Sequence, residues 1–400
     1  MAILSERVQK LKTSSTLAVT AKARALKEAG EDVVSFGAGE PDFPTPANIV
    51  EAGRKALADG KTRYENTPGT PQARQAVADY FCERFGRKVG PQNVIISTGA
   101  KHALFLSFLA LVNPGDEVLL PAPYWVSYTE QAKLAGGTVK VIETDIDNNF
   151  KVTPELLEKS ITPQSKIFLL CSPSNPAGIS YKPEEIKALA EVIERHPQLY
   201  VISDEIYERL SYADYPFQSF ASANSKIEER VITINGLSKA YAMTGWRVGY
   251  AVADESIVKG MSKLQGQMTS NITACTYPAL VEAYKGPQDS VAAMVKEFAK
   301  RADHIYERMM SIPGIKCPRP TGAFYIFPDV SAYFGKKDIN GKVIDSAAAL
   351  AQSLLEIEKV AVVPGEDFGA PKHIRLSFAT SMELIDKGLD RIIKYMASLH

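Results

Sequence analysis

The stretch "RVITINGLSKAYAMTGWRVGY", residues 230–250, reads as a strand, a turn holding Lys239 between small residues, and a second strand that opens after Arg247. Its first half is β-branched and apolar on both faces, the pattern of a strand covered from both sides. Lys239 therefore stands just past a buried strand end. Between about residues 90 and 255 the same texture recurs as "NVIIS", "DEVLLP", "TVKVIET", "KIFLLC", "LYVISD", "RVITIN" and "VGYAVAD", each bounded by Gly, Pro, Asn or Asp and alternating with helical patterns. This alternation predicts an α/β fold with a doubly wound, mostly parallel, seven-stranded sheet. Ligands of such sheets sit beyond the carboxyl ends of the strands.

After residue 285 the texture changes to a long charged helical stretch and then "TGAFYIFPDV", "VAVVPG" and "HIRLSFA" around another helix. A smaller α+β unit is expected there. Residues 1–45 hold too few strands for a unit of their own, so the expected division is a large domain over 46–285 and a small one made from 1–45 and 286–400.

With 400 residues and 45% hydrophobic content the chain can bury a sizeable core. Its 46 basic and 46 acidic residues cancel, which removes the electrostatic footprint of a nucleic-acid binder. Cys82, Cys171, Cys275 and Cys317 lie far apart without a C-x-x-C pair, so neither a disulfide framework nor a structural zinc site is expected, and a reducing cytoplasm is the simplest setting. The five histidines show no paired metal spacing. "MAILSERVQKLKTSST" lacks an apolar signal core, and "ALFLSFLALV" has about half the length of a membrane span.

The chemistry gathers at strand ends. "YVISDEIY" closes a strand on Asp204 and Glu205, with Tyr207 beyond. An isolated Ser-Asp-Glu more often caps a helix, and a single lysine at a helix start is most often solvated. Two neighbouring strand ends carrying Asp204 and Lys239 would aim a carboxylate and an amine into one crevice. Pyridoxal 5'-phosphate asks for that pair: a lysine holds it as a Schiff base, and a buried carboxylate keeps its ring nitrogen protonated. "VIISTGAKHALF" offers a strand, a Gly turn and a helix start, where the N–H groups near Gly99, Ala100 and Lys101 could cradle a phosphate, with Arg247 adding charge. Such a turn occurs in every βα unit. In "CSPSNPAG" Asn175 stands on an Asn-Pro step suited to a turn with a cis peptide, and its amide, like the Tyr207 hydroxyl, could meet the ring oxygen. Trp125 in "APYWVSY" is available for stacking, although an unassigned tryptophan is more often core.

These segments, with "SFGAGEPDFPTP", "YENTPGTP", "STGAKHALF", "SPSNPAG", "GAFYIF", "VVPGEDFG" and "IRLSFA" in order along nearly the whole chain, resemble the class I aminotransferases of the fold-type I pyridoxal-phosphate enzymes, close to bacterial aspartate aminotransferases. The resemblance implies that Lys239 anchors the cofactor and shuttles a proton, that Asp204 pairs with the pyridinium, and that Asn175 and Tyr207 bind the ring oxygen. Trp125 would stack on the ring. Arg247 with the Gly99, Ala100 and Lys101 turn would hold the phosphate, helped by Ser238 and by Tyr64 of a neighbouring subunit in a homodimer. Arg375 would clamp the substrate α-carboxylate with the backbone of Gly39, while Lys101 and Thr16 would receive a distal carboxylate. One departure from some relatives is Gly236, three residues before the lysine, where they carry a phosphate-binding serine.

The implied reaction is ping-pong transfer of the amino group of L-aspartate to 2-oxoglutarate. Prephenate, aromatic, alanine or kynurenine aminotransfer and a C–S lyase share the same core residues. A dinucleotide oxidoreductase would need G-x-G-x-x-G and a P-loop enzyme G-x-x-x-x-G-K-[ST], and the chain has neither. A ligand-sensing regulator would need a DNA-binding module, for which the expected arrangement leaves no room.

Overall fold

A computed structural model of the chain describes residues 4–11 and 15–400, apart from the side chains of residues 15–17. A two-residue strand, β1 (Val34–Ser35), precedes the main sheet of β2 (Val94–Thr98), β3 (Glu117–Pro121), β4 (Thr138–Ile142), β5 (Ser165–Cys171), β6 (Tyr200–Asp204), β7 (Val231–Gly236) and β8 (Val248–Val252). The order across the sheet is β2-β8-β7-β6-β5-β3-β4. Pairings among β3 to β7 are parallel, and β8 runs antiparallel to both its neighbours.

That one reversal matters for function. The start of β8, not its end, lies at the carboxyl edge of the other strands, with Val248 opposite Thr98 at the end of β2. Arg247, one residue earlier, is thereby delivered beside Gly99, and it faces the crevice that Asp204 and Lys239 border.

The strands are apolar on both faces because both are covered. Ile167 and Leu169 of β5 join one core cluster, while Phe168 and Leu170 join another, following the two-residue period of a strand. Helix Ala100–Leu111 starts directly after β2 and packs across β2, β7 and β8 and against helix Glu255–Met268. Its Leu104, Leu106 and Phe108 are fully buried, each contributing roughly 1.5–3 kcal/mol. That burial fixes the helix N-terminus at the edge of the sheet.

The later chain adds β9 (Tyr325–Ile326), β10 (Val360–Ala361), β11 (Val363–Pro364) and β12 (Ile374–Ser377), with helices Asp289–Met310, Ala347–Glu358 and Met382–Ser398. β1 pairs in parallel with β10, and β11-β12-β9 form an antiparallel sheet. Phe36, Phe298, Ile374 and Leu389 share a core into which Ile206, Tyr207 and Leu210, from the chain just beyond β6, also insert. The two apolar bodies thus meet at the strand ends. Among the described residues no helix is long and apolar enough to cross a membrane.

Candidate active site

The crevice at the carboxyl edge is a cavity of about 440 Å³ bordered by Asp204, Lys239, Arg247, Arg375, Lys101 and Trp125, among others. Asp204 ends β6 in register with Cys171 and Ile234 of the flanking strands. Its Oδ2 accepts the Tyr128 hydroxyl at 2.6 Å and its Oδ1 accepts the Ile206 N–H at 3.2 Å. Burial pushes the carboxyl up to about 6, while those two donors and Lys239 pull the other way.

Lys239 lies in the turn after β7, with its Nζ donating to the Gly39 carbonyl. Burial draws the amine down to about 8; Glu40 and Asp204 oppose this, and the Arg375 and Arg247 charges reinforce it. An amine so placed is neutral in a useful fraction near neutral pH, as a nucleophile must be.

At the opposite border Arg247 adopts a left-handed backbone, φ 56°, and donates from Nη1 to the Thr244 carbonyl at 2.7 Å. Gly99, φ 77°, caps the Ala100–Leu111 helix, and a Cβ there would sit 2.5 Å from Arg247 Nη2. The glycine therefore keeps the guanidinium against a helix start whose first N–H groups have no intrahelical acceptor. Ser238, nearly buried, borders the same space. Cation, helix terminus and hydroxyl together suit an anion of phosphate size.

Arg375, on β12, is buried with neutral partners: Nη1 donates to Asn175 Oδ1 at 2.9 Å and Nη2 to the Gly37 carbonyl at 3.0 Å, while buried Nε has no hydrogen-bond partner among the described residues. The guanidinium also lies 4.6 Å from the Tyr325 ring centroid. Because arginine only donates, Asn175 must turn its oxygen to it, which leaves the amide N–H groups for other use. The Asn175-Pro176 peptide is cis. Tyr207 and Tyr325 share a hydroxyl–hydroxyl hydrogen bond of 3.0 Å. Lys101 holds its Nζ 4.8 Å from the Trp125 ring centroid, and burial together with Arg247 lowers its pKa.

Of the other sequence candidates, Gly39 and Ala100 border the cavity. Tyr64 is 90% exposed and does not line it. The Thr16 side chain lies outside the described residues. Sequence reasoning missed Tyr128, Tyr325, Glu40 and Gly37. Tyr128 stands three residues after Trp125 in a quoted motif and Tyr325 lies in "GAFYIF", but no local pattern reveals a hydroxyl aimed at a distant strand end. Gly236 pairs with Gly249, and a Cβ on it would lie 2.8 Å from Gly249 Cα and from the Val248 carbonyl oxygen. A serine there would strike the neighbouring backbone.

The model of the family "Aminotransferase class I and II" matches residues 31–392. The chain belongs to this family. An aspartate/prephenate aminotransferase of Cereibacter sphaeroides is 43% identical to this aminotransferase over 399 residues, covering all of both chains. The aspartate aminotransferase of Geobacillus stearothermophilus is 44% identical over 393 residues, 98% of each. The crystal structure of the aspartate aminotransferase from Rhizobium meliloti superposes with a TM-score of 0.96 at 36% identity, covering all of both chains. This aminotransferase is therefore a fold-type I, pyridoxal-phosphate-dependent enzyme. The residues present fit that cofactor on their own chemistry: a buried carboxylate, a buried amine of lowered pKa, and an anion cradle whose glycine leaves no room for a side chain.

Proposed function

We propose that this aminotransferase moves the amino group of L-aspartate to 2-oxoglutarate in two half-reactions, giving oxaloacetate and L-glutamate. The observation that carries the reading is that, besides Lys239 and Arg247, which the cofactor would engage, the cavity presents two more cations, Arg375 and Lys101, neither ion-paired to a carboxylate among the described residues. A dicarboxylic substrate supplies two anions to such a site. The bidentate guanidinium suits the α-carboxylate, assisted by the Gly39 backbone, and Lys101 with Thr16 suits the distal one.

The bound pyridoxal phosphate supplies an electron sink next to the substrate Cα. In the proposed assignment Lys239 anchors it and carries the proton between Cα and C4′, Asp204 holds the proton on its ring nitrogen, and Asn175 and Tyr207 donate to its ring oxygen. Trp125 stacks on the ring. Arg247, Ser238 and the N–H groups around Gly99, Ala100 and Lys101 hold the phosphate. Tyr64 would complete this cradle from a second copy, which accords with its exposure and makes the functional unit a homodimer. In the same reading the large domain spans 46–285 and the small one 1–45 and 286–400, and the enzyme works in the cytoplasm.

Prephenate is a second reading, favoured by the name of the Cereibacter relative and by being a dicarboxylate itself. The test is the visible spectrum of the purified protein before and after L-aspartate, L-phenylalanine and, with glutamate as donor, prephenate. Bleaching by aspartate with oxaloacetate formed, and much weaker bleaching by phenylalanine, is the expected result; no response to aspartate would refute the reading. Lys101→Ala should lose activity on aspartate by about tenfold or more while affecting phenylalanine far less, because one charge-assisted contact disappears. Equal losses on both would move Lys101 out of substrate recognition.

A further inference from the structure

Residues 36–45 form an irregular strap between the two bodies of the fold. At one end the Phe36 N–H donates to the Ala361 carbonyl at 2.9 Å and the Phe36 carbonyl accepts the Ser377 N–H at 2.8 Å. At the other, the Thr45 hydroxyl donates to the Ala242 carbonyl at 2.8 Å and accepts the Trp246 indole N–H at 3.2 Å. Between these anchors the strap touches the site: Gly37 through its carbonyl to Arg375, Gly39 through its carbonyl to Lys239. Next to them the Glu40 carboxylate accepts the Thr244 hydroxyl at 2.8 Å, and the Thr244 carbonyl in turn accepts Arg247.

We propose that Glu40 is a positioning residue: hydrogen-bonded to Thr244, it pins the strap so that the Gly37 and Gly39 carbonyls hold Arg375 and Lys239 in one arrangement, and its charge balances the cations around the lysine. Among the described residues, the charges acting on Lys239 include Glu40 from the strap, Arg375 from β12, Arg247 from the turn before β8, and Asp204 from the end of β6, with the Tyr207 and Phe324 rings about 6 Å from Nζ. Glu40 and Asp204 both favour the charged amine. A Cβ on Gly39 would lie 3.1 Å from the Tyr325 hydroxyl, so a glycine lets the strap pass this close to the site.

The inference rests on the reading of Lys239 as the cofactor anchor, and three variants separate the two. E40Q keeps an acceptor for Thr244 and removes the charge, T244V removes the donor and keeps the charge, and E40A removes both. In the cofactor-loaded protein the pH midpoint of the visible band should fall in E40Q and E40A by roughly 0.2–0.7 pH unit, the size a partly solvated charge contributes. The midpoint should hold in T244V. For the aspartate half-reaction, T244V and E40A should each lose about tenfold in kcat/KM, and the double variant E40A/T244V should be no worse than the poorer single, since both remove one bond. Wild-type midpoints in E40Q and E40A, or losses that multiply in the double variant, would overturn the proposal while leaving the anchor intact. A wild-type protein with no visible band after loading would overturn both.

Discussion

Replacing Tyr128 by phenylalanine deletes one oxygen and leaves the ring that packs edge-on to Trp125 at 5.4 Å. The lost atom is the 2.6 Å donor to Asp204, the strongest influence opposing burial at that carboxyl. A hydrogen bond to a charged group is worth roughly 1.5–3 kcal/mol net, which is about one to two pKa units. Asp204 would therefore rise from about 6 toward roughly 7–8. In the cofactor-free protein at pH 7 the wild-type carboxyl is mostly ionised, whereas the variant's would be half or more protonated; beside the cofactor the same loss would move the shared proton from the ring nitrogen toward the carboxyl, a balance that does not depend on pH. Turnover of Y128F should fall about tenfold, with no recovery as pH rises toward 9, and with KM for aspartate changing much less.

The cofactor-free protein offers an independent assay. Burial raises the folded Asp204 pKa from 3.8 to about 6, so its ionisation opposes folding. The cost is absent below about pH 4, grows as pH rises to about 6 and is constant above. In Y128F the growth should continue to about pH 7–8, making the variant less stable than wild type by roughly 1.5–3 kcal/mol at pH 8 and by much less at pH 5. Thermal melts at the two pH values measure this. A stability difference equal at pH 5 and 8, with turnover at the wild-type level, would refute the hydrogen bond as the support of the Asp204 charge.

Lys239→Ala should fold, bind the cofactor without the coloured covalent form, and lose turnover by orders of magnitude; near-normal turnover would dismiss Lys239 as the anchor. Because the lysine's folded pKa is depressed from 10.5 to about 8, the cofactor-free protein should gain stability as pH rises from 8 toward 10.5, and its recombination with pyridoxal phosphate should accelerate up to about pH 8 and then level off. A rate flat from pH 6 to 9 would contradict the buried amine. Gly236→Ser should destabilise the protein by about 1–3 kcal/mol through overpacking against Gly249, read as a lower melting temperature, without tightening cofactor binding; tighter binding would show that the serine of some relatives fits here after all.

Much of the sheet and the centre of the site was legible because both rest on short-range signals. Two-sided apolar strands such as "KIFLLC" bury themselves wherever the chain goes, and Asp204 and Lys239 stand at the ends of two of them, so their meeting follows from strand adjacency. The direction of β8 was not legible: "VGYAVAD" reads the same in a parallel or an antiparallel strand, and the short connection from Lys239 to Val248 is what forces the reversal. Yet that reversal brings Arg247 to Gly99. The second layer was hidden for a different reason. Tyr128 and Asp204 are 76 residues apart, Arg375 and Asn175 are 200 apart, and Glu40 meets Thr244 across 204. No periodicity encodes such pairs; they exist because rigid bodies bring them together. Asp204 and Lys239, proposed to carry the chemistry, sit at or just past strand ends and can be read locally, whereas the groups that tune them arrive from distant stretches of the chain. Substitutions at the second group should therefore shift pH dependence and substrate affinity before they abolish the reaction.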